Sequence, residues 1–178
     1  MLLLTVYILI DFYRKRKDNL LRRLVFYSFL FYVLNVLHQA LGGIFIPPLP
    51  TDGYQGPLRL FQPYPFYFVW DFVRMLDYGL GPAFRIVRPS FYNLLFLAPL
   101  GFYLPCLFRV KSVMQVALIA FLVSLMIESA QLLTTVTGLV MRRSFNVDDL
   151  LLNTLGAVLV FVFYPRVSEW IFGDHWRL

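Results

Sequence analysis

The sequence predicts an all-α integral membrane protein, a single domain with about five transmembrane helices, a kinked third segment and an interfacial helix in a long outer loop. Composition is the first reason. Of 178 residues, 60% are hydrophobic and 15% charged, with a mean hydropathy of +0.69. A water-soluble domain of this size could not cover its surface with so few polar groups. The second reason is patterning: the apolar residues come in long runs separated by short polar or Pro/Gly stretches, as in chains that cross a bilayer repeatedly. The third is the placement of basic residues between those runs, developed below.

Residues 1–13 are apolar but short of the ~20 residues a full span needs, and read as a tilted or truncated first helix. Residues 24–46 form a second span that stops at Pro47-Pro48. The connection 47–90 is rich in Pro, Tyr, Phe and Arg. Within it "PFYFVWDFVRMLDYGLG" begins with Pro65 and ends in glycines, as a short helix should. Tyr67, Trp70 and Tyr78 suit it to the membrane–water boundary. Residues 91–108 are a third membrane segment, which Pro99, Gly101 and Pro105 should kink or break. Residues 112–138 make the fourth span and 147–164 the fifth, leaving 165–178 as a cytoplasmic tail. The single cysteine, Cys106, lies in an apolar run and reads as a packing residue.

Basic residues orient these spans. Arg14, Lys15, Arg16, Lys17, Arg22 and Arg23 lie together between the first two apolar segments, the pattern of a cytoplasmic loop facing anionic lipid. With the N-terminus outside, Arg109, Lys111, Arg166 and Arg177 fall on that same side. Arg59, Arg74, Arg85, Arg88, Arg142 and Arg143 then lie outside, most of them in the long loop that counts least for topology. The expected orientation is N-terminus outside and C-terminus cytoplasmic. The net charge of +6 is accordingly topological, and with no RNA- or DNA-binding motif beside it, no nucleic-acid partner is expected.

This topology assigns a depth to the polar residues inside apolar runs. Asp148 and Asp149 open the fifth span at its outer end. Asn153 lies ~6 Å deeper at 1.5 Å per residue and shares a face with Asp149, a face that Gly156 continues. Gly156 would let another helix approach closely, including a contact between this face and Glu128. Glu128 falls in the outer half of the fourth span, Gln131 one turn further out on the same face, and Asn93 at the outer start of the third segment. The simplest arrangement is one pocket opening outward, with Glu128 at its floor, Asp148 and Asp149 at its mouth, and Arg143 within reach of the mouth. An isolated carboxylate near mid-membrane costs at least ~2.5 kcal/mol, so it should pair, protonate or line water. One of the two aspartates also suits the N-cap of its own helix. The bland alternative for the whole set is a hydrogen-bond network that only fixes helix packing. His38 reads as a packed, hydrogen-bonded histidine, and His175 as idle in the tail.

The stretches "NLLFLAPLGFYLP" (93–105) and "RSFNVDDLLLNTLGA" (143–157), with "ESAQ" (128–131) between them, resemble the VanZ-like membrane protein family, whose founding member is associated with teicoplanin resistance. Carried over position by position, the family's polar pattern falls on Asn93, Glu128, Gln131, Arg143, Asp148, Asp149 and Asn153, and its helix-breaking Pro-Leu-Gly on Pro99 and Gly101. These are the residues the depth argument selects. One departure is Asn146, where family members often carry an acid. Its neutral side chain weakens any reading in which the acids hold one metal ion.

The resemblance implies a multi-pass protein of the bacterial cytoplasmic membrane that contributes to resistance to teicoplanin or related lipoglycopeptides. Its expected partners are membrane lipid and a lipid-linked cell-wall precursor or the lipoglycopeptide itself, bound at those seven residues. A second reading is a membrane-embedded enzyme acting on a lipid-linked glycan or phosphate. Glu128 and Asp149 would be its catalytic residues, and Arg143 would hold phosphate. No nucleophile triad, P-loop or His-rich metal spacing accompanies them. No cofactor is expected, and a divalent cation at the carboxylates would be Mg, Mn or Ca. A small transporter is a lesser alternative, kept open by the broken third segment.

Overall fold

The computed structural model describes residues 2–14, 20–48, 60–140 and 143–172. Lys15, Arg16, Lys17, Arg59, Arg142, His175, Trp176 and Arg177 lie outside the described residues. In chain order the elements are α1 (Leu2–Arg14), α2 (Leu20–Leu41), β1 (Phe61–Gln62), α3 (Tyr67–Met75), α4 (Leu80–Phe96), α5 (Ala98–Phe108), α6 (Val113–Val136), β2 (Phe145–Asn146) and α7 (Val147–Phe172). The chain is an all-α integral membrane protein. Among the described residues four stretches are long and apolar enough to cross a membrane: Leu20–Leu41, Leu80–Phe108, Val113–Val136 and Val147–Pro165. The 13 residues of α1 extend only about 20 Å, less than the ~30 Å hydrocarbon core.

α7 is the central helix, with α4, α5 and α6 packed around it; α2 covers α5 and α6, and α3 lies on α4. Two glycines let backbones meet. A Cβ on Gly156 would stand 1.8 Å from the Leu94 carbonyl oxygen, and one on Gly101 would stand 1.9 Å from that of Ala157. Gly156 therefore seats α4 against α7, not α6 as the sequence suggested. Gly101 acts through close approach of α5 to α7 and leaves its own helix unbroken. The break in the third segment falls instead at Leu97, just before Pro99 in the first turn of α5, where a proline's missing N–H costs nothing.

The third membrane segment begins at Leu80 instead of residue 91, so the connection before it is shorter than expected. Arg85, Arg88 and Pro89 read as loop residues but stand on α4: Pro82 lies in the first turn, Pro89 is carried inside the helix, and Arg88 packs 5.8 Å over the Tyr92 ring. The short helix expected in the long connection is present as α3, followed by a 3-10 turn at Leu76–Tyr78 and by Gly79 at φ 102°. α2 starts before residue 24, and it ends at Leu41 with Gly42 left-handed, earlier than residue 46. Its first turns carry Arg22 and Arg23, and Arg23 is paired with Asp11 of α1 at 3.1 Å instead of lying free in a loop. α7 runs on through Pro165 to Phe172, where a tail was expected.

Burial follows membrane logic. On α6 the exposed residues include Leu118, Leu122, Met126 and Leu133, while Ala120, Ser124, Glu128, Gln131 and Thr135 are buried. Apolar side chains face lipid, and small or polar ones face protein, as expected where lipid replaces water. One half of the bundle is an apolar core of Leu100, Leu104, Val116, Ala120 and Ala157. The polar buried residues gather in the other half.

Candidate functional site

The connection from α6 to α7 turns back onto the segment between α2 and α3, where β2 pairs in parallel with β1, Phe61 opposite Phe145 and Gln62 opposite Asn146. The Phe145 N–H donates to the Leu60 carbonyl at 2.8 Å, and the Phe61 and Phe145 rings stack at 5.1 Å. That short bridge fixes Asn146 at the entrance of α7. Asn146 then uses three groups. Its Oδ1 accepts the Asp148 N–H at 2.9 Å, which makes it the N-cap of α7. Its Nδ2 donates to Asp149 Oδ1 at 3.0 Å, and its backbone N–H donates to Glu128 Oε2 at 3.1 Å. The position read as a departure from the family pattern is the hub that ties the α6 acid to the α7 acid.

Asp148 was expected as one of two candidates to cap its own helix. Its carboxylate instead accepts the Phe66 N–H and, at 3.0 Å, the Phe68 N–H. These are the free donors at the N-terminus of α3, so an acid on α7 caps a short helix of the α2–α4 connection. Asp148 is 1% exposed and wholly engaged in this way.

Asn153 Nδ2 donates to Ser124 Oγ at 2.9 Å, linking α7 to α6. Its Oδ1 is buried and accepts no hydrogen bond among the described residues. Asn93 of α4 faces Asp149. The Arg143 N–H donates to Thr135 Oγ1 at 3.1 Å, and its guanidinium Nη2 lies 3.8 Å from where a Cβ on Gly42 would stand. These groups surround a cavity of about 440 Å³ whose lining includes all seven residues singled out in the sequence: Asn93, Glu128, Gln131, Arg143, Asp148, Asp149 and Asn153. His38 is exposed and is not part of the lining.

Sequence reasoning missed Asn146, Asp71, Ser90 and the aromatic wall of Tyr67, Phe68 and Phe96. Asn146 had a signal, since Asn just ahead of an apolar run is a helix-start residue. Asp71 had none, because nothing local says that the N-terminus of α3 docks on Asp148 of α7. Burial raises the Asp71 carboxyl above its ordinary range; Arg74 opposes the shift and Asp148 adds to it. Chemically the cavity is rich in acceptors: Glu128, Asp149, Asp71 and the free Asn153 oxygen. Among the described residues Arg143 is the one basic lining residue, and no histidine or cysteine lines the cavity. Among the described residues no three His, Cys, Asp or Glu side chains converge as a metal-ligand set.

Comparison with known proteins gives one family. The VanZ/LLP1 family model matches residues 29–171, which take in every helix except α1, the start of α2 and the last residue of α7. No curated protein and no solved structure matches the chain.

Proposed function

The chain belongs to the VanZ/LLP1 family, and from that premise we propose that it binds the polar part of a sugar-bearing or amine-bearing envelope molecule in the cavity between α3, α4, α6 and α7. Through that binding it contributes to resistance to teicoplanin or related lipoglycopeptides at the bacterial cytoplasmic membrane, with the cavity facing outward. The observation that carries the reading is the cavity's acceptor excess in a membrane bundle. Two carboxylates, Glu128 and Asp149, and the buried Oδ1 of Asn153, which has no partner among the described residues, line one space of about 440 Å³. Buried acceptors want donors, and sugar hydroxyls and ammonium groups supply several on one small frame. The size lies within the ~300–1,000 Å³ of ordinary ligand pockets, and the walls of Tyr67, Phe68 and Phe96 give a ring the flat apolar faces it packs against. A network that served packing alone would fill its own acceptors and leave no such space.

The test is Glu128→Gln and Asp149→Asn in a host lacking the gene, read as lipoglycopeptide susceptibility normalised to inserted protein. Either amide oxygen can still accept the hydrogen bonds that Glu128 and Asp149 take from Asn146. The protein should therefore insert normally and lose its protective effect. Full protection by both variants would show that the carboxylates serve packing.

A further inference from the structure

A second cavity, of about 370 Å³, lies on the lipid side of the bundle between α2, α5 and α6. Its walls include Val36, Leu37, Leu41, Val123, Met126 and Ala130, with Ala40, Leu97 and Ile127 as its floor, and among the described residues no charged side chain lines it. Ile127 lines both cavities, so one layer of side chains separates them. Their linings also follow one another along the chain at one end, which marks the join. Ala130 belongs to the apolar groove and the next residue, Gln131, to the polar cavity. Leu41 closes the groove on α2, and the next residue, Gly42, is where the Arg143 guanidinium lies, 3.8 Å from the Cβ position.

We infer that a single amphiphile occupies both cavities: a hydrocarbon chain in the α2–α6 groove, a phosphate linker on Arg143 at the join, and a sugar in the acidic cavity. This rests on the function proposed above and names its ligand class as a lipid-linked phosphosugar. Each part follows from the chemistry around it. The groove's polar lining group, the Tyr32 hydroxyl, already donates to the Phe96 carbonyl at 3.1 Å, and the groove faces the bilayer, where chains are the available occupant. The polar cavity is too acidic to hold phosphate deep inside, because Glu128, Asp149 and Asp71 would repel it. Among the described residues a cation stands next to the groove's end at the join, and a guanidinium matches phosphate geometry. A free sugar phosphate would leave the groove unused, and an ordinary alkyl chain would leave the acceptors unused.

The experiment uses the full chain in nanodiscs, with farnesyl phosphoglucose carrying a diazirine at the far end of its chain. Irradiation of the wild type should label α2 between residues 33 and 41 and α6 between 123 and 130. Labelling spread over the other lipid-facing surfaces would overturn the inference. Arg143→Gln and Ala130→Phe, the second of which fills the outer end of the groove, should each weaken binding by about tenfold or more. The Arg143→Gln effect should vanish with farnesyl glucoside, which has no phosphate; an equal loss with both probes would remove the linker assignment. If Glu128→Gln weakens binding while Arg143→Gln and Ala130→Phe do not, the polar cavity stands and the inference falls. If none of the three weakens it, both fall. Should Ala130→Phe fail to insert, the wild-type labelling pattern decides alone.

Discussion

Replacing Asp148 with asparagine should unfasten α3 while leaving the membrane helices in place. In the native protein both carboxylate oxygens are acceptors, one for the Phe66 N–H and one for the Phe68 N–H. Asparagine keeps one oxygen and turns the other position into an NH₂ that points at a backbone donor. One hydrogen bond to a charged group is lost, worth about 1.5–3 kcal/mol, and a donor–donor contact replaces it. The helix also loses the negative charge at its N-terminus, about 0.3–1 kcal/mol more. The sum is roughly 2–4 kcal/mol. That loss is local: α3 has no buried residue of its own and lies chiefly on α4. Hydrogen exchange in detergent or nanodiscs reads it directly. Amides of residues 68–78 should exchange about 30-fold faster or more, at 1.4 kcal/mol per tenfold, with α6 and α7 unchanged. Unchanged protection of 68–78 would refute the claim that Asp148 caps α3. Simultaneous loss in α7 would show that its role is in the bundle instead.

Other variants test the remaining contacts and the orientation. Gly156→Ala places a methyl group 1.8 Å from the Leu94 carbonyl oxygen. Since backbone must move to admit it, the variant should lose about 1–3 kcal/mol, read as a lower midpoint of thermal unfolding in detergent, and an unchanged midpoint would refute close α4–α7 packing. Asn146→Ala removes the α7 cap and the Asp149 partner together and should cost about 1–3 kcal/mol. Asn146→Asp sets an oxygen 3.0 Å from Asp149 Oδ1, so its lower midpoint should be partly restored by Ca²⁺ or Mg²⁺, an effect absent in the wild type. For orientation, Ser144→Cys should react with a membrane-impermeant maleimide in intact cells and Lys17→Cys should not, the native Cys106 being buried; the reverse pattern would invert the outward-facing cavity.

The membrane class and the helices were legible in the sequence because burial in lipid acts on each segment separately. A run such as 113–136 has to satisfy its own backbone whatever its neighbours do. The polar residues of the site were legible for the same reason. Glu128 or Asn153 in an apolar run is costly enough to need an explanation before any partner is known. Helix ends were less legible where a rule of water-soluble proteins was applied. Arg85 and Pro89 looked like loop, yet α4 carries both, since an exposed Arg side chain can lie along the surface and a proline costs little when neighbouring helices hold the turn. Only the tertiary structure decided who partners whom. Asp148 reaches across about eighty positions to α3, Gly156 meets α4 and not α6, and Asn146 joins Glu128 to Asp149. Hydrophobicity is a property of a segment and accumulates along the chain. A hydrogen bond or a backbone contact is a property of two segments, whose rotation about their axes is set by every other helix packed around them.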